Sequence, residues 1–374
     1  MQLANKKVKG GGDMFSALDE SGTVTWITTG NAARLKQEKK ILYCPSCQSK
    51  LLIKVGKTKL PHFAHPAHAN SCILSGESLL HREGKYRLAT YFRLQGCSTE
   101  LEVYLPNINR QADLLINKNI VFEYQCSSIS TRDFLQRTTD YQSQKLKVYW
   151  LYGKPLERNK TYLYLTAFGK NFLRYHPRLG LFLFRFDPHS EEWQIFYHLA
   201  STFKQTKFRY RQLIFSKGIA LTDIFSCLRR IRQPAFYADE EIEAVRQKRI
   251  YMYTRFDNRR PFMQFLYQNG YCLQNLPSYI GIITHCQALV QEPALEWQFF
   301  LWHTFFQSLR EGDTFTMKAY LHAFKQIVHP IRLPMIQEDA YLDLGTAYLN
   351  YLTRKKYIQN AEKESYHVLR SFSY

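Results

Sequence analysis

A mixed α/β fold class follows from three observations on this 374-residue chain. A helix-period segment leads into three alternating apolar strands, a second helix and a buried strand follow them, and both flanks differ from this centre in composition. The length suits two or three domains, each with its own core. They are predicted as a small N-terminal β module over 1–74, the α/β core over 75–155, and a basic, mainly α-helical region over 156–374. Lys plus Arg exceed Asp plus Glu by 20, with +7 in residues 1–75, +3 in 76–155 and +10 beyond. Such a balance favours a polyanion, nucleic acid before an anionic membrane surface. No run of eighteen apolar residues and no apolar leader occurs, so a soluble, cytoplasmic protein is expected. Cys97, Cys126, Cys227, Cys272 and Cys286 show no disulfide rhythm, which suits a reducing compartment.

Residues 14–29 are expected to pair as two short strands. After them, "YCPSCQSKLLIKVGKTKLPHFAHPAHANSC" opens with Cys44 and Cys47 in a Cys-x2-Cys knuckle and returns with His62, His65, His68 and Cys72. Strands over 51–55 and 58–63 bring "HFAH" back beside the knuckle, a spacing that suits structural zinc. Cys44 and Cys47 are two ligands; His62, His65, His68 and Cys72 compete for the other two places, with His65 first among them.

"SGESLLHREGKYRLATYF", residues 75–92, reads as a helix capped by Ser75 with Leu80, Leu88 and Phe92 inward. Glu77, His81 and Lys85 recur every fourth residue and form one polar stripe along it, the ordinary meaning of which is a solvated ion-pair face. "TELEVYL", residues 99–105, alternates as a strand. "QADLLINKNIVFEYQCSS" then reads as a hairpin turning through Asn117, Lys118 and Asn119, with Ile116 opposite Ile120. "SISTRDFLQRTTDYQSQKL" is a helix capped by Ser130 with Asp133 behind it, and "KVYWLY", residues 147–152, returns parallel as a buried strand.

That hairpin register sets Asp113 across from Glu123. Like charges facing each other across a ladder are destabilising, and a bound cation removes the conflict. Two carboxylates with water and backbone oxygens are what Mg²⁺ accepts. Helix, β-meander, helix, strand is also the core of the PD-(D/E)xK nuclease fold.

Beyond "YGKPLERNK" the chain turns aromatic and basic. "LGLFLFRFDPHSEEWQIFYHL" reads as a hairpin joined to a helix, and the periodicity is largely helical from residue 200. "FKQTKFRYRQ" carries Lys204, Lys207, Arg209 and Arg211, and "CLRRIRQ" carries Arg229 and Arg230. Arg or Lys on phosphates, with Phe or Tyr stacked on bases, is how single strands are held without sequence preference. The alternative is a basic bundle whose aromatics are its core.

"GESLLHREGK", "ADLL", "FEYQCSSI" and "FLQRTTDY", in this order behind "CPSC…HFAH", resemble the bacterial competence protein CoiA family over roughly residues 10–155. The resemblance implies a zinc-ribbon-like N-terminal module, a restriction-endonuclease-like core and a helical C-terminal region, acting on DNA during natural transformation. It implies a Mg- or Mn-dependent nuclease in which Asp113 and Glu123 match the family's acidic positions. Gln125 stands where the motif lysine is usual, Glu77 and His81 at first-helix positions, and Arg137 and Tyr141 at those of the next helix, where both are candidate DNA contacts, Arg137 to phosphate. Gln125 orients a water but supplies no charge, so Lys85 is the candidate replacement. The expected partners are DNA, as single strands or recombination intermediates, and the RecA recombinase or other competence proteins. The rival reading is a non-catalytic mediator built on the same fold.

Overall fold

The structure, a computed structural model, describes residues 13–14, 16–22, 24–27, 30–44, 48–56, 61–66, 79–201, 206–232, 239–256, 261–284, 286–362 and 364–373. The chain forms two compact units. One comprises 1–155 with 184–194 and 214–226; the other comprises 156–183, 195–213 and 227–374.

The first unit begins with β1 (Asp13–Met14), β2 (Ser16–Leu18), β3 (Val24–Trp26), α1 (Ala32–Gln37), β4 (Leu52–Lys54) and β5 (His62–Ala64). The expected strand pair forms as β2 with β3, and the expected hairpin as β4 with β5, Ile53 opposite Phe63. β1 extends this sheet along β5, an addition hidden in the sequence because two residues carry no alternation. Ala17, Ile27, Leu35, Leu42, Cys44 and Phe63 share one apolar core.

α2 (Leu79–Leu94), β6 (Thr99–Leu105), β7 (Arg110–Ile116), β8 (Ile120–Gln125), α3 (Thr131–Ser143) and β9 (Lys147–Tyr152) then follow in the expected order. The sheet runs β6-β7-β8-β9, antiparallel except for the parallel β8–β9 pair. The hairpin closes with Ile116 opposite Ile120, and Asn117 and Lys118 take the left-handed φ values (47° and 59°) that so short a turn requires. Ser130 caps α3 by accepting the Asp133 N–H at 3.0 Å. Phe92 of α2 packs on Phe122, ring centroids 4.8 Å apart, while Phe134 of α3 stacks on Trp150 at 4.0 Å. Because Trp150 pairs with Glu123, it and Phe122 point to opposite faces, and the two helices cover both sides of the sheet. Leu88 and Phe92 are buried as expected, whereas the Ser75 cap lies outside the described residues.

Next come β10 (Glu157–Arg158), β11 (Tyr162–Tyr164), α4 (Ala167–Lys170), β12 (Arg174–His176), β13 (Gly180–Asp187), β14 (Glu192–Ser201) and β15 (Lys207–Phe215), a six-stranded sheet ordered β10-β11-β15-β14-β13-β12. The hairpin over 180–201 forms, but no helix is joined to it: "KFRYRQLIF" is a strand, its basic residues alternating with Phe208 and Tyr210 at the strand period and Ile214 and Phe215 adding β-favouring residues.

Helices prevail only after that: α5 (Leu221–Arg229), α6 (Asp239–Phe256), α7 (Pro261–Gln268), α8 (Ala294–Leu301), α9 (Met317–Ile327) and α10 (Leu342–Arg354), with a small sheet of β16 (Thr314–Thr316), β17 (Ile358–Ala361) and β18 (Ser365–Val368). Their core is aromatic, built on Trp297, Phe299, Trp302, Tyr320, Phe324 and Tyr348, all under 1% exposed. Part of the basic character is internal too. The buried Arg246 guanidinium donates to the carbonyls of Ile280 and Leu276, so this cation holds a loop rather than a surface ligand. Among the described residues no helix is long and apolar enough to cross a membrane.

Candidate active site

The site forms where the β-ladders around Asp113 are interrupted. On one side the pairs Leu101–Leu114 and Val103–Ala112 flank Glu102, whose backbone is left-handed at φ 53°. On the other, β7 and β8 pair regularly only as far as Leu114–Phe122. There the Tyr124 N–H, freed from the ladder, donates to Asp113 Oδ2 at 2.8 Å. The carboxylate is thereby fixed by backbone, and Glu102 lies beside it in the β6–β7 register, between the Leu101–Leu114 and Val103–Ala112 pairs.

Two side chains of α2 reach Asp113. His81 Nε2 lies 3.1 Å from Oδ2, so that nitrogen carries the proton toward an ionised acceptor, and Lys85 Nζ lies 3.8 Å from Oδ1. Lys85 is buried, and its shorter contact is to Glu102 Oε1 at 2.9 Å. His81 and Lys85, two members of the polar stripe read from the sequence, therefore face the sheet rather than solvent, and both meet Asp113. Glu77 lies outside the described residues.

Glu123 is completely buried and held from α3. Arg137 Nη2 donates to Oε2 at 2.6 Å, the Tyr141 hydroxyl donates to Oε1, and the Arg137 guanidinium also lies over the Trp150 ring at 5.1 Å. Arg137 and Tyr141, which the sequence reading assigned to DNA, are thus found on the second acid. Helical spacing explains why both reach it: residues four apart share a face. The Gln125 amide donates to Ser127 O at 2.8 Å and to Ser127 Oγ at 3.1 Å.

The two acids ionise in opposite directions. Burial works against the Asp113 anion, but His81 and Lys85 outweigh it and hold the carboxyl well below the usual carboxylate range. At Glu123 burial dominates; Arg137 opposes it, the negative Asp113 reinforces it, and the carboxyl is pushed up to about 7. Near neutrality Asp113 is therefore an anion while Glu123 exchanges a proton readily.

Tyr124, between Glu123 and Gln125, anchors the strand. Its ring stacks at 25° on His81, and its hydroxyl donates to the Phe186 carbonyl at 3.1 Å. α2 passes so close that a Cβ on Gly84 would lie 2.0 Å from the Tyr124 ring. Glu102 is the site residue that sequence reasoning missed. Its signal was present in "TELEVYL", where the acids lie on the face opposite Leu101 and Val103, but only the β6–β7 register sets Glu102 beside Asp113.

Near the N-terminus, Cys44 is fully buried, its carbonyl accepts the Gln48 N–H at 2.9 Å and its N–H donates to Ser49 O at 2.8 Å. His62 and His65, on and just after β5, are buried around Phe63, which shares a core with Cys44. Cys47, His68 and Cys72 lie outside the described residues. Among the described residues no three His, Cys, Asp or Glu side chains gather as a metal site, so the expected zinc ribbon stays an expectation. Of the cations assigned to DNA, Lys207 Nζ sits 3.8 Å over the Tyr162 ring and Arg209 pairs with Glu241. Arg211, Arg229 and Arg230 are exposed, and Lys204 lies outside the described residues.

Comparison with known proteins gives three successive matches. Residues 27–75 match the family described as competence protein CoiA, N-terminal domain; 77–229 match its nuclease-like domain; and 235–374 match its C-terminal domain. The chain is also similar to the competence protein CoiA of Bacillus subtilis (strain 168), 23% identical over 342 residues that cover 88% of this chain and 90% of the relative. No solved structure matches.

Proposed function

The chain belongs to the competence protein CoiA family, and from that premise we propose that it is a metal-dependent DNA nuclease acting on incoming DNA during natural transformation and recombination. The observation that supports this reading is the convergence of Lys85, His81 and Arg137 on Asp113 and Glu123, two acids on neighbouring strands of the nuclease-like domain. Paired hard carboxylates fit Mg²⁺ or Mn²⁺, with Glu77 as a third. Asp113 offers Oδ1, with Lys85 3.8 Å away, whereas each Glu123 oxygen already accepts one hydrogen bond, from Arg137 or from Tyr141. An ion held by Asp113 and Glu123 would supply an activated water and offset charge developing on the phosphoryl oxygens. Lys85 contributes the positive charge that Gln125 lacks, and Gln125 is left to orient water. Arg137, once released from Glu123, is free to bind the phosphate. His81 steers Asp113 by holding Oδ2.

Four of Cys44, Cys47, His62, His65 and Cys72 bind a structural zinc in this reading, supported by the buried Cys44 and the two buried histidines around Phe63. DNA is the partner, as single strands or recombination intermediates, held in part by Lys204, Lys207, Arg209, Arg211, Arg229 and Arg230, and the protein works beside RecA or other competence proteins in a cytoplasmic setting.

The deciding experiment is cleavage of labelled single-stranded, double-stranded and branched DNA with Mg²⁺ or Mn²⁺. Asp113→Ala and Glu123→Ala are expected to reduce cleavage by about a hundredfold or more while binding persists. A second reading has its own support: both Glu123 oxygens are already satisfied by protein donors and Gln125 is tied to Ser127, as in a binding platform that needs no ion. No cleavage by any form, with DNA binding intact, would select that non-catalytic mediator.

A further inference from the structure

Glu102 has no place in the motif that singled out Asp113 and Glu123, yet its arrangement is specific. It lies in the middle of β6 with a left-handed backbone, a conformation that costs a non-glycine residue energy and persists only where its surroundings impose it. Gln111 Nε2 donates to its carbonyl at 3.2 Å, which pins the distortion. The carboxylate is buried, and Lys85 Nζ sits 2.9 Å from it and 3.8 Å from Asp113 Oδ1. One ammonium thus spans two acids on adjacent strands. A buried ion pair gives little net stability over an apolar pair of the same size, so cohesion alone does not account for this one. What the pair accomplishes is geometric. Lysine carries its charge on a flexible four-carbon stem, and a buried carboxylate on the far side of it restricts where that charge can be.

We propose that Glu102 is a positioning residue: it holds the Lys85 ammonium at Asp113, so that a lysine delivered from α2 supplies the cation absent from position 125. The proposal rests on the nuclease reading above. Lys85 touches the acid of the reacting centre, and Glu102 acts through Lys85. The site therefore tolerates Gln125 because its positive charge enters from the helix side and is steadied from β6.

The test compares the native protein with Glu102→Gln, Glu102→Gln/Gln125→Lys and the uncharged pair Lys85→Met/Glu102→Leu, on labelled DNA with Mn²⁺. Binding is followed separately in EDTA. Glu102→Gln is expected to lower kcat about tenfold with KM within about twofold, and adding Gln125→Lys is expected to recover most of the loss. Labelling by an amine-reactive ester, read by mass spectrometry, is expected to rise several-fold at Lys85 in Glu102→Gln and to stay level at exposed lysines. Should Glu102→Gln fail to fold, the uncharged pair, which removes both members of the buried Lys85–Glu102 pair and leaves His81 and the Tyr124 N–H on Asp113, is expected to bind DNA and to cleave at least about tenfold more slowly. Native rates in Glu102→Gln or in the uncharged pair would overturn the role of Glu102 and leave the nuclease reading standing. So would a folded Glu102→Gln that Gln125→Lys does not rescue and whose Lys85 labelling is unchanged. A native protein that cleaves none of the DNA forms removes the nuclease reading and this role together.

Discussion

Asp113 and Glu123 are both carboxylates of one sheet, and their surroundings separate them. Asp113 is stabilised as an anion by His81, Lys85 and a backbone N–H; Glu123 is sealed in the fold beside that anion. Because the Glu123 carboxyl is raised from 4.5 to about 7, the fold favours its protonated form. That contribution is complete below the unfolded value and is lost as pH rises through about 7. Asp113 acts oppositely: its lowered value stabilises the fold above the ordinary aspartate range and is lost as pH falls. In metal-free buffer the melting temperature of the native protein is expected to fall relative to Glu123→Gln as pH rises from about 5 to about 8. Parallel melting curves across that range would remove the argument that burial controls Glu123. Mn²⁺ affinity is expected to rise through the same interval, since the ion requires the deprotonated acid.

The elements matter through their spacing and their close approaches. α2 brings His81 and Lys85 to Asp113 because they lie one turn apart, and α3 brings Arg137 and Tyr141 to Glu123 for the same reason. The close approach of α2 to β8 depends on Gly84. Gly84→Ala is expected to cost about 1–3 kcal/mol in urea unfolding, because its Cβ meets the Tyr124 ring. Site function is expected to suffer as well, since Tyr124 gives its N–H to Asp113 and its ring to His81. An unchanged unfolding midpoint would show that α2 can move away without loss. Most of these elements were legible: the hairpin register, the Ser130 cap and the parallel return of 147–152 all follow from alternation, turn chemistry and capping. The region beyond 155 was less legible, since its short strands over 157–176, 314–316 and 358–368 carry little alternation, and at 207–215 Lys and Arg at alternate positions drew attention to charge while the apolar and aromatic residues between them made a strand.

At the scale of the whole molecule, the excess of 20 basic residues divides into internal and external parts. Arg246 serves backbone carbonyls and Arg137 serves Glu123, whereas Arg211, Arg229 and Arg230 stand in solvent. Replacing the last three together by alanine is expected to lessen the slope of log affinity against log salt by about 2 for single-stranded DNA, at roughly 0.7 per phosphate contact. An unaltered slope would place the DNA elsewhere on the surface.

The sequence by itself determined the family, the order of helix, meander, helix and strand, and the hairpin register that sets Ile116 opposite Ile120, since all of these follow from local periodicity, short-range turn geometry and recognisable motifs. Only the tertiary structure decided that His81 and Lys85 face inward, that Arg137 and Tyr141 close on Glu123, and that Glu102 shares Lys85 with Asp113. Those outcomes depend on which faces of distant segments meet and on what each charge then exchanges for its water, and a linear pattern carries neither quantity.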